Sequence, residues 1–156
     1  MNTDNLIPPN ALAVEKTLLG TFLIDNVSLV EAKEQLPLSA FYSAAHREIY
    51  SAMVSMADLG RVVDVITLID TLGTRGTLEK IGGEEYIAEL CECISSRQSI
   101  PEYIRILSEK YVLRNTLETC QKIATGCYAE TAQIQKILAQ VEHLGAQISE
   151  DCEKAS

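Results

Sequence analysis

The sequence predicts an all-α fold: a compact six-helix globular part followed by a helical hairpin. Apolar residues recur at intervals of three and four along most of the 156 residues, which is the period of a half-buried helix. Aromatic residues make up only 5% of the chain and period-two alternation never persists for more than a few residues, so no strand is expected. The last third changes character, with two long three-four patterns separated by one short break, and this shift marks the internal boundary.

The elements follow in order. Residues 1–9 are polar and end in Pro8-Pro9, which remove two backbone donors and favour extended chain, so they read as a disordered lead-in. Asn10 suits an N-cap, and the run Ala11 to Ile24 places Leu12, Leu18, Leu19, Phe22 and Leu23 at helical spacing before Asp25-Asn26 closes it. Ser28 can cap a second helix that must end near Leu36, because Pro37 disfavours helical geometry in the residue before it. Phe41-Tyr42 reads as a core anchor. From Ser43 to about Leu59, Ala45, Ile49, Met53 and Met56 form an apolar stripe, and Gly60 sits where a left-handed C-terminal cap belongs. Asp64 caps a helix carrying Val65, Leu68, Ile69 and Leu72 toward Gly73 and Gly76. After the break at Gly82-Gly83, Tyr86, Ile87, Leu90 and Ile94 mark helix five up to the polar turn Ser95 to Ser99.

Pro101 suits the first turn of a sixth helix, in which Tyr103, Ile106, Leu113, Leu117, Cys120, Ala124 and Cys127 follow a three-four spacing broken only by Lys110. About 26 residues of helix would extend roughly 39 Å at 1.5 Å per residue. Beyond the break at Gly126 to Thr131, Ile134, Ile137, Val141, Leu144 and Ile148 repeat the spacing and complete a hairpin. The expected organisation is therefore a lead-in over 1–9, a globular helical subdomain over 10–99, a hairpin for dimerisation over 100–150, and the start of a linker or tail over 151–156.

Composition narrows the function classes. A chain of this length buries roughly 70% of its unfolded surface and needs no covalent staple. The formal net charge of -9 repels phosphate backbones, which argues against direct nucleic-acid binding by this chain. The five cysteines form no CxxC pair and no apolar leader follows Met1, so a reduced, cytoplasmic protein is expected. Charged residues interrupt every apolar run well short of eighteen, so no membrane span is expected.

Chemistry is sought and not found. A P-loop needs a Gly-Lys dipeptide to hold phosphates, and none exists here, so the chain alone is expected not to be an enzyme of that kind. Cys91 and Cys93 lie two apart on a helix and point to different faces, and neither His46 nor His143 stands at a zinc spacing from them. Cys120 and Cys127 read as small apolar residues in the helical seam. His46 has no nucleophile beside it and reads as a satisfied structural histidine, while Glu84-Glu85 complement the start of helix five. No catalytic, cofactor-binding or metal-ligating residue is assigned, and no cofactor is expected.

The hairpin is the informative feature, because apolar residues on more than one face cannot all be buried within two helices. Ile106, Leu113, Leu117, Cys120, Ile134, Ile137, Val141 and Leu144 form the candidate self-association seam. Ile104, Leu107, Tyr111 and Ile123 lie on other sides of the first hairpin helix, where packing on the globular part and self-association fit the spacing equally. A generic helical protein-interaction adaptor would share this hairpin.

Five stretches carry a family likeness: Pro8-Pro9 with Glu15–Gly20 (EKTLLG), Phe41–Tyr50 (FYSAAHREIY), Asp64–Leu72 (DVITLIDTL), Gly82–Leu90 (GGEEYIAEL) and Tyr103–Arg114 (YIRILSEKYVLR). In this order and spacing the chain resembles the N-terminal domain of DnaB-type replicative DNA helicases, from Pro8 to about Ser149. The resemblance implies hairpins that pair two protomers, and dimers that assemble into a threefold collar on a hexameric helicase. It implies that the collar recruits the C-terminal helicase-binding domain of primase, with a helicase loader as a further partner, in the bacterial cytoplasm. It also implies that Tyr86, Leu117 and Ile123 match positions tied to primase contact or its modulation; Tyr86 fits a core anchor as well, Leu117 a seam residue and Ile123 a dimer contact. The family continues through a linker into a RecA-like, ATP-dependent motor that this sequence does not contain.

Overall fold

The structure, a computed structural model, describes residues 5–155. Seven α-helices occur among them, α1 (Leu12–Ile24), α2 (Asn26–Lys33), α3 (Ala44–Asp58), α4 (Val65–Arg75), α5 (Gly83–Glu92), α6 (Ile100–Cys127) and α7 (Ile134–Ala155), with three single 3₁₀ turns and no strand. The all-α expectation holds. The chain divides into two compact units: Asn10–Leu107, and the residues from Ser108 onward together with the segment up to Pro9.

In the first unit α1 packs on α2, α3 and α5, α3 packs on α2 and α4, and α4 packs on α5. Tyr50 of α3 lies at the centre, its ring 4.6 Å from that of Phe41 and 6.2 Å from that of Phe22. Its hydroxyl donates to the carbonyl of Leu36, so burying the phenol leaves no unpaired donor, and burial pushes its pKa far up. The expected anchor Phe41 is fully buried, whereas Tyr42 is half-buried. Gly20 brings α1 against the end of α5, where a Cβ would overlap the carbonyl oxygens of Leu90 and Cys93. The first turns of α6 bury Ile100, Ile104 and Leu107, so this unit reaches past residue 99 to Leu107.

The expected caps Asp64 and Gly60 hold, and Ser43 supplies a third that the sequence reading did not assign. Ser43 accepts the amide of His46 at the start of α3, and Asp64 and Thr67 form a reciprocal capping box at the start of α4. After α3, Gly60 adopts φ 70° and Arg61 N donates back to Met56 O. Elsewhere the ends differ from expectation. α1 starts at Leu12 with Ala11, not Asn10, in the N-cap position, and alanine offers no capping side chain. α2 is capped by Asp25 instead of Ser28, because the Asp25 carboxylate accepts both the amide and the hydroxyl of Ser28 three residues on. That helix ends at Lys33, and Leu36 lies in the turn that follows. α5 ends at Glu92, leaving Ile94 outside it and half exposed.

In the second unit α6 and α7 form the hairpin, joined through residues 128–133. The helix of α7 continues to Ala155 through the stretch expected to begin a linker. Of the expected disordered lead-in, residues 1–4 lie outside the described residues; at its end the Arg114 guanidinium donates to Pro9 O at 2.9 Å.

Candidate functional site

Two of the four buried polar residues of the first unit, Glu15 and His46, belong to one hydrogen-bonded chain. Glu15 of α1 is 0% exposed. Its carboxylate accepts the backbone amides of Tyr42 (2.9 Å) and Ser43 (3.3 Å) at the start of α3, where the helix dipole favours negative charge. It also meets His46 Nδ1 at 2.8 Å. The other ring nitrogen, Nε2, lies 2.6 Å from the hydroxyl of Tyr86 on α5. The imidazole thus bridges the Glu15 carboxylate and the Tyr86 hydroxyl, one ring nitrogen to each, and its tautomer sets which partner donates at Nε2.

Carboxylate, imidazole and hydroxyl in series resemble a nucleophile relay, but the electrostatics run the other way. Burial first, then the charges of Glu89, Cys93 and Glu15, push the Tyr86 phenol above its ordinary value. An activated nucleophile needs the opposite shift. The three side chains tie α1, α3 and α5 together. The Tyr86 ring stacks on His46 (6.0 Å, 12° between planes), and Lys16 Nζ stands 5.6 Å from its centre. Of the three residues in the chain, Tyr86 alone reaches solvent, as a half-buried side chain.

The hairpin supplies the other candidate surface. No described residue from Ser108 onward is buried. Val112, Thr116, Thr119 and Ile123 of α6 and Ile137, Leu144 and Ile148 of α7 are half-buried and form the inner face of the hairpin. At the tip the helices approach closely, since a Cβ on Gly126 would lie 3.6 Å from Ile137 Cδ1. Further along, a cleft of about 190 Å³ opens between them, bordered by Tyr111, Asn115 and Thr119 on one side and Leu144, Gln147 and Asp151 on the other.

The candidate seam residues fall on both faces. Leu113 (50% exposed), Leu117 (42%), Cys120, Ile134 (83%) and Val141 (49%) point outward, while Ile137 and Leu144 face the partner helix of the same hairpin. Ile106 is half-buried and belongs to the first unit. At 100° per residue, Leu117 and Ile123 lie about 120° apart around α6, and the burial pattern agrees, with Leu117 exposed and Ile123 half-buried. Among the described residues, no group of three or more His, Cys, Asp or Glu comes together as a metal site, and no helix is long and apolar enough to cross a membrane.

The fold has close counterparts. The family described as DnaB-like helicase N terminal domain matches residues 7–109. The chain belongs to the DnaB-like helicase N-terminal domain family. A replicative DNA helicase DnaB of Geobacillus stearothermophilus is 35% identical over 144 residues, covering 92% of this chain and 32% of the relative. The corresponding protein of Treponema pallidum is 35% identical over 125 residues, covering 80% and 28%. The crystal structure of the N-terminal domain of DnaB helicase from Mycobacterium tuberculosis superposes with a TM-score of 0.81 at 28% identity, covering 88% of this chain and 99% of that one. A DnaB-like replicative helicase, solved in a study of its interactions with primase, shares the fold with a TM-score of 0.72 at 21% identity, covering 94% and 36%. The chain spans about a third of the length of the helicases it matches.

In this DnaB-like domain, Glu15, His46 and Tyr86 come one each from three of the five family-like stretches, EKTLLG, FYSAAHREIY and GGEEYIAEL. Spacing could not join them, because they stand 31 and 40 positions apart. Leu138 (48% exposed) shares the outward stripe of α7 with Ile134 and Val141 and was not singled out from the sequence; the interval from 134 to 138 to 141 is the signal that marks it. Tyr128, 90% exposed at the hairpin tip, was also passed over, lying in the break between the periodic runs.

Proposed function

We propose that this chain is the non-catalytic collar module of a replicative DNA helicase: its hairpin pairs two copies, dimers build the threefold collar of a hexamer, and the collar docks primase. The observation that carries the reading is the hairpin's lack of a core. Two helices of 28 and 22 residues bury none of the described side chains from Ser108 onward, yet present Leu113, Leu117, Ile134, Leu138 and Val141 outward on stripes beside their mutual contact. Fully burying such side chains contributes about 1.5–3 kcal/mol each, a gain open only to a second surface. A two-fold pairing lets the same stripe serve both partners.

Tyr86 on α5, with Leu117 and Ile123 on α6, is the set we assign to primase docking, and a helicase loader is a further partner. With that role go the bacterial cytoplasm and an ATP-driven motor of the P-loop class, whose Gly-Lys dipeptide this sequence does not itself contain. Direct nucleic-acid binding is no part of the role, in keeping with the net charge of -9. Light scattering with size exclusion tests it, on the chain alone and with the helicase-binding domain of the cognate primase. Concentration-dependent dimers or larger rings that shift with primase are expected; a monomer at every concentration that never shifts overturns the reading.

A further inference from the structure

We propose that His46 and Glu15 are positioning residues for partner docking: through the Tyr86 hydroxyl they hold the Tyr86 ring in the one orientation that the docking partner reads. The inference rests on the assignment of Tyr86 to the primase-facing surface and deepens it by naming the residues that act behind it.

The first argument is the cost of the arrangement. A carboxylate and an imidazole at 0% and 2% exposure forgo hydration that apolar side chains of similar size would never need, so the pair is poor evidence for stability alone. Every buried side-chain nitrogen and oxygen among the described residues has a partner, so the network is complete, and a complete buried network fixes one geometry. Its inner end is immobile. Glu15 is tied to two backbone amides at the start of α3 as well as to the histidine, and His46 sits in the first turn of the same helix, whose cap Ser43 holds its amide. The outer end is the tyrosine.

The second argument is how tightly that outer end is held. The hydroxyl is bonded to Nε2 at 2.6 Å, the ring lies nearly parallel to the imidazole, and Lys16 stands over it. Gly82 makes room at the root of the side chain: with φ 113°, it takes a conformation that L residues rarely adopt, and a Cβ there would come within 2.8 Å of Tyr86 Cβ. A tyrosine side chain on a helix surface normally has rotamers to lose on binding. One already fixed by a buried anchor pays that cost in advance, which is how preorganisation raises affinity.

Isosteric substitutions separate this role from simple structure. In His46→Asn the amide nitrogen takes the place of Nδ1 and keeps the bond to Glu15, but nothing reaches Tyr86. In His46→Gln the amide takes the place of Nε2 and can still meet the hydroxyl. Tyr86→Phe keeps the ring and loses only the hydroxyl. Binding of the cognate primase helicase-binding domain to the full chain is measured by titration calorimetry. The Tyr86 ring is followed by selective ¹³C labelling, with Tyr86→Phe identifying its resonance and thermal unfolding showing that each variant folds.

His46→Asn and Tyr86→Phe are each expected to weaken binding about fivefold to tenfold, the worth of one hydrogen bond. The double variant should be no weaker than either single, His46→Gln should recover most of the loss, and the ring resonance should shift in His46→Asn. If Tyr86→Phe binds as the unaltered chain does, or the two losses multiply in the double variant, the inference is overturned. Tyr86→Ala separates the failures. Unchanged binding in Tyr86→Ala sinks the docking assignment itself, whereas a large loss there beside a normal Tyr86→Phe sinks only the positioning role.

Discussion

Gly20 and Leu90 meet so closely that the first helix and the end of the fifth can pack only because one of them carries no side chain. A Cβ on Gly20 would overlap the carbonyl oxygens of Leu90 and Cys93, both backbone atoms that cannot swing aside. Gly20→Ala is therefore expected to destabilise the protein by roughly 3 kcal/mol, despite the gain in helix propensity that alanine brings. Urea unfolding measures the loss, and a variant as stable as the original would refute the close-packing argument.

Asp25 caps α2 and also receives the Arg97 guanidinium in two bonds of 2.8 and 2.7 Å. The Arg97 bonds, aided by those from Ser28 and opposed by some burial, lower the Asp25 pKa to about 2. A carboxylate depressed in the folded state adds stability above its unfolded pKa of about 3.9, and that contribution is lost as pH falls toward the folded value. Asp25→Asn keeps a good capping side chain but not the charge. Its melting temperature should be a few degrees lower at pH 7, and the gap should close as pH falls from about 4 to about 2. A gap independent of pH would mean that the charge is not what matters.

Leu117→Asp with Val141→Asp places a charge on each outward stripe of the hairpin. Burying an unpaired carboxylate in a dimer seam is costly, so weakening of self-association by about a hundredfold or more is expected. The first unit buries neither residue, and its unfolding should be unchanged. Sedimentation of the double variant decides the matter; dimers as strong as before would move the seam elsewhere on the surface.

Thiol chemistry offers an independent view of the same seam. Cys120, Cys127 and Cys152 are exposed, whereas Cys91 is half-buried and burial raises its pKa, so Cys91 should react slowest with a disulfide reagent at neutral pH. Cys120 shares the outward stripe of Leu113 and Leu117, so its modification should slow as protein concentration rises and recover in the Leu117→Asp, Val141→Asp variant. Peptide mapping after partial labelling reads out each site, and concentration-independent labelling of Cys120 would count against its lying in the seam.

Much of the fold was legible because it is written locally. The cap Asp64 and the stop at Gly60 each act within a few residues, and the sequence shows them directly. Errors arose where local signals compete. Asp25 and Ser28 can both cap the second helix, and the carboxylate, three residues earlier, takes the serine amide. The hairpin was legible as two periodic helices but not as faces, because Leu117 and Ile123 both fit three-four spacings, and only the packing of α7 tells which one turns inward. The network from Glu15 to Tyr86 was hidden for the opposite reason: its members look ordinary in sequence, and only tertiary folding brings them together.

The carboxylate of Glu15 also fastens the start of a helix that lies 27 and 28 residues further along the chain. The N-terminal end of α3 is thus not self-sufficient. During synthesis the acceptor leaves the ribosome before its donors do, and the amides just ahead of α3 find it only once α1 has docked. A fragment trimmed past the first helix would carry α3 with two amides seeking a lost acceptor, and an α1 peptide supplied in trans brings back the group that completes it.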